Sequence, residues 1–114
     1  VAVAPADLKK ITLFYLGVEE RPHFVRARDS ERGIFEFHGR LRNQLPRAVQ
    51  DVVLKASVYN AAGELIEVKK FRLYKGPFEP DAPASFSGIV DIQHLPEGYK
   101  YQLEVIEARY AAAK

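Results

Sequence analysis

Alternation of apolar and polar side chains with a period of two governs this sequence and restricts what it can fold into. Phe35, Phe37, Gly39 and Leu41 form an apolar or small face, and Glu36, His38, Arg40 and Arg42 form the opposite one. A half-buried strand requires this pattern, because successive side chains point to opposite sides of a sheet. Val52, Leu54, Ala56 and Val58 repeat it against Val53, Lys55, Ser57 and Tyr59. It returns in Phe86, Gly88, Val90 and Ile92, and again in Tyr99, Tyr101, Leu103 and Val105.

Turn chemistry separates these runs. Asn60-Ala61-Ala62-Gly63 supplies a hairpin turn, since Asn and Gly tolerate positive φ and Asn can bond the local backbone. After Leu65 the apolar phase slips between Val68 and Phe71, which predicts a bulge near Lys69-Lys70. Lysines there would also discourage sheet extension. The loop from Lys75 to Pro83 holds Pro77, Pro80 and Pro83, none of which can donate to a central ladder, and it reads as a crossover between sheets. Ser30 to Gly33 reads as a second hairpin turn, between a strand over His23 to Asp29 and one over Ile34 to Asn43.

The N-terminal third allows two readings. Leu8, Ile11, Tyr15 and Val18 match a helical face, whereas Ile11 to Leu16 also suits a strand buried on both faces. The concentration of Ile, Thr, Phe and Tyr, and a Gly17 that would cost a helix about 1 kcal/mol relative to Ala, favour the strand. The pattern as a whole predicts an all-β, immunoglobulin-like antiparallel β-sandwich of about seven strands. Residues 1–10 form an extension, residues 11–110 a single domain, and residues 111–114 a tail.

Composition narrows the function classes. Hydrophobic residues make up 47% and charged residues 28% of 114, the balance of a globular domain, and no apolar run is long enough to span a bilayer as a helix. With no cysteine, disulfides, thiolate metal sites and cysteine nucleophiles are excluded. The net charge of +2 gives weak attraction to polyanions unless the charges are segregated, and nucleic acid is an unfavoured partner. Val1-Ala2-Val3-Ala4-Pro5-Ala6 is compatible with the small-residue stretch just past a signal or anchor segment, so a membrane tether upstream is compatible too.

Gly39-Arg40-Leu41-Arg42-Asn43, then Val49 to Val53, then Leu54 to Tyr59 and the Asn60-Ala61-Ala62-Gly63 turn resemble the FxLYD family of small immunoglobulin-like domains. Pro80 to Phe86 is similar to the proline-led loop entering that family's next strand, and Tyr101 to Val105 to its closing strand. The resemblance covers about residues 35–108 and departs at Asn60, where the family usually has aspartate, and at Asp81 and Ala82, where glycine and glutamate are common. It implies a non-catalytic interaction or structural subunit of a bacterial envelope assembly, periplasmic or extracellular, with protein partners.

The chemistry-bearing residues are sparse. His23, His38 and His94 have no second histidine at ligand spacing, and Asp91, His94 and Glu97 around Pro96 read as solvated residues before they read as a cation site. Ser30, Ser57, Ser85 and Ser87 sit in no nucleophile-elbow pattern. No catalytic residue, cofactor or metal is therefore expected. Two surfaces remain. Ile11, Leu13, Phe14, Tyr15, Leu16 and Val18 form the expected protein interface, unless both faces of that strand are buried in its own sandwich. Arg26, Arg28, Arg40 and Arg42 form the alternative anion-binding face, which Asp29, Glu31 and Glu36 would neutralise across the sheet.

Overall fold

A computed structural model describes residues 1–21, 32–93 and 95–112. Six strands carry the fold: β1 (Ile11–Arg21), β2 (Arg32–Asn43), β3 (Val49–Tyr59), β4 (Leu65–Arg72), β5 (Ala84–Gln93) and β6 (Lys100–Tyr110). All pairs are antiparallel, in two three-stranded sheets of order β1-β2-β5 and β4-β3-β6. This is an immunoglobulin-like sandwich with strands at positions A, B and E of one sheet and C′, C and F of the other. The expectation of about seven strands is corrected to six among the described residues. The strand assigned to His23–Asp29 lies outside those residues, and the segment between β4 and β5, where position D would fall, is the proline-rich loop that cannot complete a ladder.

The core lies between the inward faces that the alternation marks. Phe35, Phe37 and Leu41 of β2, Val52, Leu54, Ala56 and Val58 of β3, Phe86, Val90 and Ile92 of β5, and Leu103 of β6 are all buried. Fully burying each large aliphatic or aromatic side chain among them contributes about 1.5 to 3 kcal/mol from area removed from water. Phe37 joins the sheets. Its ring stacks on Phe71 of β4 at 6.2 Å and meets Tyr101 of β6 edge-on at 5.5 Å.

The β3–β4 turn forms as the sequence predicts. Gly63 has φ +87°, the Asn60 side-chain oxygen accepts from the Glu64 N–H at 2.9 Å, and the Gly63 N–H donates to the Asn60 carbonyl at 3.0 Å. The predicted bulge near Lys69-Lys70 is displaced: the register shifts instead where Val58 and Tyr59 pair with Glu67 and Leu65. Arg32 and Gly33 belong to β2 and pair with Gln93 and Ile92, so the second hairpin turn does not extend to Gly33. Its remaining residues lie outside those described.

Residues 1–10 are built into the domain. Pro5–Lys10 forms a short 3-10 helix, Val3 is buried, and the segment before it runs antiparallel to the end of β6. Val3 N–H donates to the Ala108 carbonyl and Tyr110 N–H to the Val1 carbonyl, each at 2.9 Å. This segment helps explain why Val53, on the outward face of β3, is also buried: it shares a pocket wall with Val3, Pro5 and Leu8.

Asn43, at the end of β2, is the one fully buried amide among the described residues. Its Nδ2 donates to the Arg47 and Phe78 carbonyls at 2.8 and 3.0 Å, and its Oδ1 accepts from the Leu45 N–H at 2.9 Å. Its main-chain carbonyl accepts from the Asp81 N–H at 2.7 Å. One side chain thereby fastens two loops that have no ladder of their own.

Candidate functional site

The expected interface strand divides its residues between core and surface. Ile11 is in the core, Leu13 and Val18 pack half-buried against it, and Phe14, Tyr15 and Leu16 lie at an irregularity where Phe14 pairs with Arg40 but Gly17 pairs with His38. Tyr15 and Leu16 together face the single residue Gly39 of β2, which makes the irregularity a β-bulge. Gly39 permits it: a Cβ there would come within 2.7 Å of the Leu16 Cδ2 and 3.1 Å of the Phe14 carbonyl.

Tyr15 takes the strain of this bulge. Its φ is 53°, a left-handed conformation that costs a residue with a Cβ about 1 to 2 kcal/mol. The side chain stays 77% exposed, and its ring contact is with Phe14, edge-on at 5.1 Å. Arg42 lies over the other side of that cluster, 5.9 Å from the Phe14 ring centroid. Leu16 is 38% exposed and faces an apolar groove of about 500 Å³ between β1 and β6 that Leu8, Leu13, Leu103, Val105 and Ile106 also line.

The arginine face is fragmentary. Arg26 and Arg28 lie outside the described residues. Arg40 and Arg42 both point outward from β2, but Arg42 is engaged by Phe14, and Glu36 and His38 share the same face. His38 Nε2 lies 3.4 Å from Glu19 Oε1, which places a further carboxylate beside it. Arg47, in the loop that follows β2, lies over the Tyr110 ring at 4.6 Å.

Alternation along single strands missed a third surface. Between the edges of β4 and β5, which have no partner strand among the described residues, runs a groove of about 840 Å³, lined by Lys70, Arg72 and Lys75 on one side and by Ser85, Ser87 and Ile89 on the other. Its floor is Phe71, whose ring lies against the Cα of Gly88 so closely that no Cβ would fit. Lys69 Nζ reaches Asp91 Oδ1 at 3.3 Å at one end, and Lys75 Nζ donates to the Ser85 carbonyl at 3.1 Å at the other. The signal existed in Lys70 and Arg72 alternating with Phe71, but only the pairing of sheets sets them opposite β5.

Among the described residues, no three His, Cys, Asp or Glu side chains converge as metal ligands would. Of the residues around Pro96, Asp91 is engaged by Lys69, Glu97 is exposed, and His94 lies outside the described residues. The phenol of Tyr101, part of the core edge, has its pKa pushed above the usual value by burial and, secondarily, by the neighbouring Tyr99. No helix is long and apolar enough to cross a membrane among the described residues.

No family model matches the chain, and no curated protein matches it. Among solved structures, it is similar to the X-ray structure of Northeast Structural Genomics Consortium target SoR45, at 11% identity and a TM-score of 0.50, covering 93% of this chain and 89% of that one. At that identity the likeness concerns the fold alone.

Proposed function

We propose that this chain is a non-catalytic protein-binding module, a structural or interaction subunit of a bacterial envelope or extracellular assembly, and that the β1 bulge is its contact surface. The observation that carries this reading is Tyr15, strained at φ 53° and yet 77% exposed. Strained residues persist where surrounding structure holds them and they cluster at functional sites. An exposed tyrosine flanked by Phe14, Leu16 and Arg42 has the composition of an interface anchor, large and amphipathic with few torsions to immobilise. The envelope location and the FxLYD kinship rest on the sequence resemblance and the small-residue start.

Photo-cross-linking tests the reading. With a benzophenone amino acid in place of Tyr15, expressed at native abundance in the source cell, one discrete protein adduct is expected. The same probe at Glu64, in the β3–β4 turn far along the chain, serves as the control. Recovery of uncross-linked monomer alone, or of the same adducts from both positions, overturns the reading. Polyanion binding through Arg40 and Arg42 ranks second, because Glu19 and Glu36 share their sheet face. Tight oligonucleotide binding that weakens steeply with salt would reverse that order.

A further inference from the structure

We propose that the groove between β4 and β5 docks an acidic, extended polypeptide segment of a partner protein, which adds as a strand to the free edge of β5. This surface is separate from the β1 bulge, and neither proposal depends on the other.

Three observations converge on it. First, among the described residues β5 pairs only with β2, so its other edge presents backbone that no described strand ladders. Lys75 approaches the Ser85 carbonyl from the groove side, which fixes which residues face outward. Alternate residues of an antiparallel strand turn N–H and C=O the same way, so Ser87 and Ile89 also aim theirs into the groove. Second, the groove is dressed for a side-chain-bearing strand. Ile89 is 58% exposed, an apolar spot next along the strand from the small hydroxyls of Ser85 and Ser87, and Tyr74 at the opposite rim is 94% exposed. From Ser85 to Ile89 the edge offers about 13 Å at the rise of an antiparallel strand, enough for five or six residues of a partner.

Third, the charge is of one sign. Lys70, Arg72 and Lys75 line the groove, and none of them is in an ion pair among the described residues. Carboxylates on alternate residues of an added strand would meet these cations while its backbone bonds β5. Lys75 would then exchange the Ser85 carbonyl, which a partner N–H takes over, for a partner carboxylate. A polyanion such as single-stranded nucleic acid would satisfy the charges but not the row of backbone donors and acceptors, which favours a polypeptide.

The probe is a fluorescein-labelled, end-capped hexapeptide alternating glutamate and valine, titrated by anisotropy at low salt. Binding is expected, with backbone amide shifts confined to residues 69–75 and 85–91. Lys70→Glu combined with Arg72→Glu should weaken it by about 10-fold or more through loss of complementary charge. Ser87→Pro removes a donor that serves no intramolecular ladder, so it should leave the circular dichroism spectrum intact and abolish binding. The proposal is overturned if a peptide N-methylated at alternate residues binds equally, which would mean charge alone. It is also overturned if oligothymidylate competes the peptide off at lower concentration, or if sedimentation shows a second copy of this chain filling the groove.

Discussion

Replacing Asn43 by Ala removes three side-chain hydrogen bonds, but their loss is not equal. The Phe78 carbonyl keeps a second donor, the Val49 N–H at 3.1 Å, and Arg47 is exposed, so water can reach its carbonyl. The Leu45 N–H has no such recourse, since Leu45 is buried and Asn43 Oδ1 is its acceptor. One orphaned donor plus a small cavity at a fully buried site predicts a loss of about 2 to 4 kcal/mol. At about 4 to 5 °C per kcal/mol for a domain of this size, the melting temperature should fall by about 8 to 20 °C. Urea denaturation followed by circular dichroism should show a lower midpoint at unchanged slope. Asn43→Asp refines the test. The new carboxylate keeps the Leu45 bond but faces two carbonyl oxygens, so its pKa in the folded state rises above the unfolded value of about 3.9. The folded state then binds the proton more tightly. The deficit relative to wild type is smallest below about pH 4 and widens as pH rises through the folded pKa. A midpoint within about 1 kcal/mol of wild type for Asn43→Ala, or a pH-independent deficit for Asn43→Asp, would refute the assignment of Asn43 as the fastener of both loops.

Gly88→Ala drives a methyl into the Phe71 ring and should destabilise by about 1 to 3 kcal/mol, whereas Gly17→Ala meets only the half-exposed His38 ring, which can swing aside, and should cost less in the same melts. Tyr15→Gly relieves the left-handed backbone, so stability should hold or rise by up to about 1 kcal/mol while the cross-linked partner is lost; a clear fall in stability would make Tyr15 structural. Because the folded pKa of Tyr101 is raised above 10.0, its contribution is full below that pH and is lost as pH rises through the folded value. Alkaline unfolding should therefore come at higher pH in Tyr101→Phe, and an unchanged alkaline limb would remove this residue from the account.

Legibility followed periodicity. Val52, Leu54, Ala56 and Val58 are buried as their spacing predicts, because a strand one side of which packs on a facing sheet leaves a period-two trace. The crossover at residues 75–83 and the turn at Gly63 were legible because proline and glycine restrict the backbone directly. Ile11 shows the limit: a strand with apolar residues on both faces does not declare which face is inward, and Ile11 went to the core while Tyr15 went to solvent. The Tyr15-Leu16 bulge itself shifts that phase by one residue, so alternation read straight through Phe14 to Val18 cannot succeed. Asn43 looked like a strand end. Its burial depends on carbonyls 4 and 35 residues away, which no local window contains. The β4–β5 groove was equally hidden, since its two walls come from different sheets.

The pairing of residues 1–3 with the end of β6 has a mechanical consequence. Val1 and Tyr110 are bonded neighbours on antiparallel segments, so opposed forces applied at these two residues load the bonds one after another, as a zipper, rather than all together in shear. The first few residues should peel at low force and expose the apolar wall beneath Val3, while the sheets behind them remain packed. Because both residues sit at one end of the sandwich, a polypeptide continuing through them would leave close to where it entered. In a tethered assembly such a module would act as a side-mounted bracket, contributing surface to its neighbours and almost no length between them.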